Sequence, residues 1–366
     1  MAVRSEPSVS STGRIRRPLL ALLESMATPH AVDRYLELVD PMATVRDMRA
    51  RVVSVSRPTA GSVCLELRPT RQWRGFAAGQ FVQVGVVIDG VRHVRCYSPT
   101  GSQHRAGDPI RLTVKAHPGG LVSQYLYDHA EEGLVVDLAP AAGEFRLPDP
   151  RPDSVLLVSG GSGITPVLSM LRTLIDEGYS GRIAFLHYVR TVADIADRAE
   201  LRAIDAAHDN VTIDLVETVP GGRFCGAHLQ RVAPGFGVGT EVFVCGPDAL
   251  TAAVRHLLDA DGFGERMHTE RFVIGSTGPV DAAGGTVSFA RSGVTVENSG
   301  ASILEQAEAA GLVPEYGCRM GICFSCTALK RSGRTRNVRT GDTHDDPDQP
   351  IQLCISAPLG DVDIDI

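Results

Sequence analysis

The stretch Cys318-Arg319-Met320-Gly321-Ile322-Cys323-Phe324-Ser325-Cys326-Thr327, followed after a long gap by Cys354, decides how the C-terminal part of the chain is read. Its spacing, C-x4-C-x2-C with a distant fourth cysteine, lets four thiolates hold two irons bridged by sulfide. Soft sulfur suits iron, and the metal keeps each thiol deprotonated. Gly317 and Gly321 allow the backbone to pass close to such a cluster and aim N–H groups at its sulfurs. A four-sulfur zinc site is the alternative, although it would more naturally pair two C-x2-C knuckles. The remaining cysteines, Cys64, Cys96, Cys225 and Cys245, are scattered, so the 8 cysteines do not form a disulfide framework.

Working back from this loop, residues 286–366 form a small unit, preceded by a Gly-, Ser-, Thr-, Pro- and Ala-rich linker over 275–285. Residues 151–274 alternate strands (154–159, 183–189, 211–216, 242–245) with helices (166–177, 199–208, 248–260), the pattern of an α/β parallel sheet. Ser159-Gly160-Gly161-Ser162-Gly163-Ile164-Thr165-Pro166 follows the first of these strands. It places Thr165 as N-cap and Pro166 as the first helical residue. Glycines at this turn let a dinucleotide pyrophosphate approach the backbone, although the spacing is not G-x-G-x-x-G and a plain tight turn is the alternative. Cys245-Gly246-Pro247 ends another strand on the edge where open parallel sheets bind ligands. Arg190 and Arg198 flank the second strand's loop, where an arginine can pair with a 2′-phosphate or simply be solvated.

Residues 48–150 carry short β-rich runs separated by Gly and Pro turns and one helix at 121–129, which predicts a small antiparallel barrel. In Arg95-Cys96-Tyr97-Ser98 the arginine and tyrosine share one strand face. The arginine offers a planar fork for a pyrophosphate, the tyrosine a flat surface for a ring system, and Ser98 a hydroxyl for a ring nitrogen. Further on, Gly119-Gly120-Leu121-Val122-Ser123 opens the helix with N–H groups that attract phosphate. Residues 1–47 read as a Ser-rich start followed by a helical extension over about 14–42, its amphipathic face packed on its own protein or on a partner or membrane surface.

Net charge is −7, so no broad basic field exists to hold nucleic acid. The apolar run Leu19–Leu23 is too short to span a bilayer and is followed by Glu24, Asp33 and Glu37 without a cleavage site, so the expected location is cytoplasmic. Asp342, Asp345, Asp346 and Asp348 offer either a solvated loop or a surface that steers a basic partner.

Together, Arg95-x-Tyr97-Ser98, Gly119-Gly120-x-x-Ser123, Gly160-Gly161-x-Gly163-Ile164-Thr165-Pro166, Cys245-Gly246-Pro247 and the cysteine set resemble the ferredoxin-NADP reductase superfamily. Their order is similar to the phenylacetyl-CoA oxygenase reductase and phthalate dioxygenase reductase type. The resemblance implies a multidomain α+β protein with an antiparallel β-barrel flavin domain, an α/β parallel-sheet nicotinamide domain and a β-grasp [2Fe-2S] ferredoxin domain. It implies FAD, with FMN as the alternative, a [2Fe-2S] cluster on Cys318, Cys323, Cys326 and Cys354, and NADPH, with NADH as the alternative.

By the same resemblance Tyr97 stacks on the flavin, Ser98 approaches its N5, and Arg95 with the Gly120–Ser123 turn binds phosphate. Cys96, Lys115, Leu121 and Val122 join that cofactor-contacting set, and Gly161, Gly163, Thr165, Pro166, Cys245, Gly246 and Pro247 border the nicotinamide. Ser98, Cys245 and Glu270 are then the catalytic candidates. His268-Thr269-Glu270-Arg271-Phe272 is similar to the ending of plant-type reductases, with Phe272 at the ring, yet here the chain runs on past it. The cluster loop and the extension resemble actinobacterial reductases serving membrane acyl-CoA Δ9 desaturases, which implies an oxygenase-type acceptor and a peripheral position at the membrane through that partner. The rival acceptor is an aromatic-ring or xenobiotic oxygenase. A rival from another class is a zinc-stapled nucleotide-binding module without turnover.

Overall fold

The computed structural model describes residues 32–105, 107–237, 239–270, 272, 284–317, 321, 324–338 and 340–366. Cys318, Cys323, Arg271, most of the linker and the first 31 residues lie outside them.

Six strands build the first unit: β1 (Arg49–Thr59), β2 (Ser62–Pro69), β3 (Val82–Ile88), β4 (Val91–Tyr97), β5 (Ile110–Lys115) and β6 (Val135–Leu138). They pair antiparallel in the order β4-β3-β6-β1-β2-β5. A bridge between Pro99 and Leu112 brings the chain beyond β4 onto β5 and closes the sheet into a barrel. Alternate residues point inward, so Val52, Leu65, Leu67, Val84 and Leu112 fill the interior. The helix Leu121–His129 closes one end with Val122 and Leu126.

The second unit is a parallel sheet of β7 (Ser154–Gly160), β8 (Arg182–Val189), β9 (Val211–Glu217), β10 (Thr240–Cys245) and β11 (Met267–Glu270), in the order β11-β10-β7-β8-β9. Every residue of β7 is buried, as a central strand covered on both faces requires. The chain runs outward from β7 through β8 and β9, then returns to β7's other side as β10. This reversal opens a crevice at the carboxyl ends of β7 and β10.

The third unit pairs β12 (Thr286–Phe289), β13 (Val294–Glu297), β14 (Thr327–Asn337), β15 (Thr343–His344) and β17 (Ser356–Ile364) in the order β13-β12-β17-β14-β15, with β16 (Gln349–Gln352) added to β14. The helix Ile303–Ala309 starts with a capping box between Ser302 and Glu305 and buries Ile303, Leu304 and Ala307 against this sheet. The multidomain α+β architecture is the expected one, with the antiparallel and parallel sheets in that order along the chain.

Two expectations of local structure are corrected. A helix over about 14–42 is expected; residues 14–31 lie outside the described residues, Val32–Leu36 is helical and the chain then turns, and Pro41 disfavours any return to the helical region at Asp40. Polar anchors, not an apolar face, fasten this segment: Leu38 and Val39 are exposed, whereas Asp33 is buried. The Asp33 carboxylate accepts the N–H groups of Val45 (2.6 Å), Arg46 (2.8 Å) and Asp47 (2.8 Å), and Glu37 accepts Arg49 Nη2 at 2.5 Å. The second correction concerns the glycine turn. The helix after β7 begins at Ile164, so Thr165 is not its N-cap and its hydroxyl donates to Ser162 O at 3.2 Å.

Burial alone pushes the Asp33 acid up, but the three N–H groups and Arg49 outweigh it and hold the carboxyl below its usual range. Its contribution is therefore present at neutral pH and lost as pH falls through that lowered range. Asp33→Ala is expected to cost about 1–3 kcal/mol at pH 7. Thermal melting of the two proteins should show the gap narrowing as the pH is lowered towards 3, roughly the bottom of the ordinary carboxylate range.

Candidate active site and cluster site

The floor of the crevice is built where two turns touch. A Cβ added at Gly163 would lie 2.1 Å from Cys245 O, and one at Gly246 would lie 3.0 Å from Gly160 N. Only hydrogen at Gly163 lets the turn after β7 rest directly on the end of β10. In-register pairing then sets Cys245 beside Ser159 on one side and Glu270 on the other.

Cys245 is uncharged, although Glu270 lies beside it. Burial pushes the Cys245 thiol well above its ordinary range, and the neighbouring Glu270 charge acts in the same direction. It stays a thiol and offers no nucleophile to an electrophilic ring next to it. His187, paired with Ser159 across β7 and β8, contacts Ser159 Oγ through Nδ1 at 2.9 Å. Burial pushes its pKa down to about 3, and the charge of Lys115 adds to this.

Lys115, Gly161, Thr165 and His187 line one cleft at the junction of barrel and parallel sheet, with Thr113, Asp194 and Asp197. The sequence reading brought Lys115, Gly161 and Thr165 to a cofactor but passed over His187. Its signal was available: Ser159 and His187 are polar residues at the carboxyl ends of otherwise apolar strands. Arg190 is exposed, whereas Arg198 opens the helix Arg198–Ala207 with its Nε buried and unpartnered among the described residues. Phe272 packs against the core cluster that contains Phe145 and Phe243.

On the barrel side, Tyr97 at the end of β4 pairs with Val82 and packs against the barrel core. Burial raises its phenol, so it presents a neutral ring. The next residue, Ser98, is 3% exposed and its Oγ is buried with no hydrogen-bond partner among the described residues. An orphaned hydroxyl beside a flat ring fits a heteroaromatic cofactor that brings a polar atom. In the Gly119–Ser123 turn, Ser123 Oγ accepts His117 N at 3.2 Å and donates to Gly120 O at 3.1 Å. Ser123 therefore shapes the turn, and Val122 is buried, so what this segment offers a phosphate is backbone N–H. Arg95, expected at the flavin phosphate, has Nη1 donating to Val94 O at 2.8 Å and to Gly317 O at 3.4 Å.

In the third unit Cys326 and Cys354 are buried together, 2% and 6% exposed, and Leu353 N donates to Cys326 O at 3.0 Å. Gly321 has φ +72°, and a Cβ there would lie 2.5 Å from Ile355 Cδ1, so the loop packs tightly against the segment after Cys354. Two buried thiols drawn together by β14 and β16 suit a soft metal centre. Cys318 and Cys323 belong to the expected set and lie outside the described residues.

A closed barrel with an orphaned serine beside a tyrosine, a parallel sheet with a glycine-floored crevice, and a thiol-bearing third unit define a class: reductases that take electrons from a nicotinamide cofactor and deliver them one at a time. Comparison with known proteins agrees unit by unit. Residues 51–147 match the oxidoreductase FAD-binding domain, 157–256 the oxidoreductase NAD-binding domain, and 287–359 the 2Fe-2S iron-sulfur cluster binding domain. An NADPH oxidoreductase of Mycobacterium tuberculosis is 37% identical over 348 residues, 93% of this chain and 90% of that protein. The glycine betaine monooxygenase reductase subunit of Pseudomonas aeruginosa is 32% identical over 322 residues, 79% of this chain and 87% of that protein. Among solved structures, phthalate dioxygenase reductase superposes with TM-score 0.60 at 27% identity, covering 87% of this chain and 97% of that one.

The chain belongs to the ferredoxin-NADP reductase family, in the branch that carries a plant-type ferredoxin domain. It is an NAD(P)H-, FAD- and [2Fe-2S]-dependent electron-transfer reductase of oxygenase systems. Among the described residues no helix is long and apolar enough to cross a membrane.

His187 supplies a test of the buried crevice floor. Its folded pKa, about 3, lies below the ordinary value of 6.5, so the unfolded chain binds a proton that the native state refuses. Its share of stability is complete above the ordinary value and is lost as pH falls from there towards the folded one. His187→Asn should flatten the fall in melting temperature over that window relative to the wild type. Gly163→Ala should cost about 1–3 kcal/mol in denaturant unfolding, as the Cβ forces the two turns apart.

Proposed function

We propose that this reductase draws on NADPH in preference to NADH and serves a membrane di-iron acyl-CoA desaturase. The chemistry its bound groups supply is conversion of a two-electron donor into a one-electron current. The chain's own residues bind, orient and shield. Gly161, Gly163 and the Cys245–Pro247 turn shape the floor on which a nicotinamide is laid, and Thr165 and Glu270 border it. Tyr97 gives the flavin a stacking face, and the orphaned Ser98 hydroxyl is the group available to its N5 edge. Lys115 and the Gly119–Ser123 backbone meet phosphate. Cys318, Cys323, Cys326 and Cys354 are the four ligands of the cluster.

The preference for NADPH rests on Arg198, whose Nε is buried with no hydrogen-bond partner among the described residues and which starts a helix directly after Asp197 of the cleft lining. Arg198→Ala is expected to raise KM for NADPH roughly 10- to 100-fold, the range of one charge-assisted hydrogen bond. KM for NADH should barely move, and equal losses with both cofactors would reject the assignment.

The NADPH oxidoreductase of Mycobacterium tuberculosis, which matches 93% of this chain, supports NADPH as the donor by its name. The desaturase reading rests on resemblance alone. The cluster loop and the N-terminal extension carry the resemblance to desaturase reductases. An aromatic-ring or xenobiotic oxygenase is the second reading, favoured by the superposition on phthalate dioxygenase reductase. Product formation with purified desaturase and with a ring oxygenase, each fed by this protein, separates the two.

Asp342, Asp345, Asp346 and Asp348 are all exposed on the third unit and suited to steer a basic acceptor. Turnover with the true partner at limiting partner concentration should fall roughly 10-fold between about 0.05 and 0.5 M salt. Reduction of a small neutral dye should not change.

A further inference from the structure

Two polar side chains that line the cleft between barrel and parallel sheet keep bonding capacity that the fold does not use. On the sheet side His187 is 2% exposed, with Nδ1 2.9 Å from Ser159 Oγ. The Ser159 hydroxyl has Leu186 O to donate to at 3.5 Å, and the Ser159 backbone favours a proton on the imidazole. Burial pushes the ring's pKa down to about 3, so it is neutral at working pH. Its one proton therefore sits on Nδ1, and Nε2 keeps a lone pair. Nε2 makes no hydrogen bond among the described residues, and the ring lines the cleft. On the barrel side Thr113 stands opposite Cys64 in the β2–β5 ladder and on the same face as Lys115. It lines the same cleft, and its Oγ1 is buried with no partner among the described residues. Unpaired buried polar atoms are costly, so an open acceptor and an orphaned hydroxyl in one cleft point to a ligand that completes both.

Charge decides which part of a dinucleotide that is. Lys115 stands at the rim, where phosphate is drawn, whereas His187 and Thr113 offer uncharged partners that suit an uncharged amide or hydroxyl. We infer that His187 is a specificity-determining residue for the pyridine nucleotide: Nε2 accepts a hydrogen bond from the carboxamide N–H or a ribose O–H of the nicotinamide riboside, and the Thr113 hydroxyl makes a second contact from the barrel. The inference rests on the proposed placing of the nicotinamide in this crevice. The pair acts on the riboside half of the cofactor and leaves the adenosine half to other residues.

The test uses the full-length holoprotein with FAD, iron and acid-labile sulfide content verified. Calorimetry on the oxidised protein measures the affinity of whichever of NADP+ and NAD+ binds tighter. The same titration is run with its acetylpyridine analogue, which lacks the carboxamide N–H, and with its adenosine half, 2′,5′-ADP or ADP. His187→Asn keeps a polar group for Ser159 and withdraws the far ring nitrogen. It is expected to weaken the dinucleotide roughly 3- to 10-fold, the range of one hydrogen bond, and to leave the adenosine half unchanged. Thr113→Val, of nearly equal size, should give the same pattern, and unchanged binding there removes the barrel contact. A loss in His187→Asn that vanishes with the analogue supports the inference with the carboxamide as donor, and a loss equal for both supports it with a ribose hydroxyl. Wild-type affinity for the dinucleotide in His187→Asn would overturn it, as would an equal loss for the adenosine half, the mark of a damaged sheet edge. Should the asparagine variant lose its FAD, His187→Phe keeps a ring without either nitrogen and is held to the same outcomes. If the dinucleotide binds the wild type and leaves its flavin spectrum unperturbed, it is the placing of the nicotinamide beside the flavin that fails.

Discussion

Asp197 is the joint on which the arrangement of the first two units depends. Its carboxylate accepts Arg111 Nη2 from β5 of the barrel at 2.7 Å and Arg172 Nη2 from the helix after β7 at 3.0 Å. Arg172 also donates to Thr100 O, just beyond β4, at 2.6 Å. The side chains of Asp197 and Arg172 are 6% and 10% exposed, so this is a nearly dry node. In such surroundings, removing one partner leaves an uncompensated charge and costs on the order of 3–5 kcal/mol. The node ties the β4–β5 edge, where Tyr97 and Ser98 sit, to the carboxyl edge of the parallel sheet. Apolar packing continues the seam, with Phe145 meeting Phe243 edge-on at 5.7 Å. A site divided between two sheets keeps its shape only if the sheets cannot slide, and charge at the rim with aromatics inside satisfies that condition.

The crevice behind this seam is polar yet nearly uncharged at its floor. Ser159, His187 and Cys245 lie side by side at strand ends, each held neutral by burial or by nature. Charge is kept to the margins, at Lys115, Asp194 and Asp197 and at Glu270 on the strand beside Cys245. Such a division suits a reaction in which the transferred species is a hydride. A thiolate next to the path would compete by adding to the ring, and the low local dielectric would strengthen that effect.

What the amino-acid sequence revealed follows from how local each signal is. Strand and helix limits in the first two units are written in near-neighbour patterns, and β7, buried throughout, reads directly as an apolar run. The glycine turn was readable as a ligand turn, but the role of Gly163 was not, because the atom it makes room for is Cys245 O on another strand. His187 and Ser159 were passed over for a similar reason: each looks like an ordinary polar residue until β7 and β8 are in register. Of the extension, residues 14–31 lie outside the described residues; its last part is fastened by Asp33 and Glu37, whose partners lie up to 14 residues away. Arg95 illustrates the limit most sharply, since its partner Gly317 belongs to another unit and leaves no trace in the residues around it.

The covalent linkage of the third unit to the other two changes what its docking must achieve. A tethered domain meets its partner at an effective concentration of about a millimolar, so even a weak contact keeps the docked form populated. A reductase that hands electrons outward needs an open surface on its third unit, and there Phe324, 67% exposed, and the loop of Asp342, Asp345, Asp346 and Asp348 face solvent. The seam at Asp197 thus fixes the first two units against each other by buried charge, while the third unit is joined through the linker and keeps an exposed face.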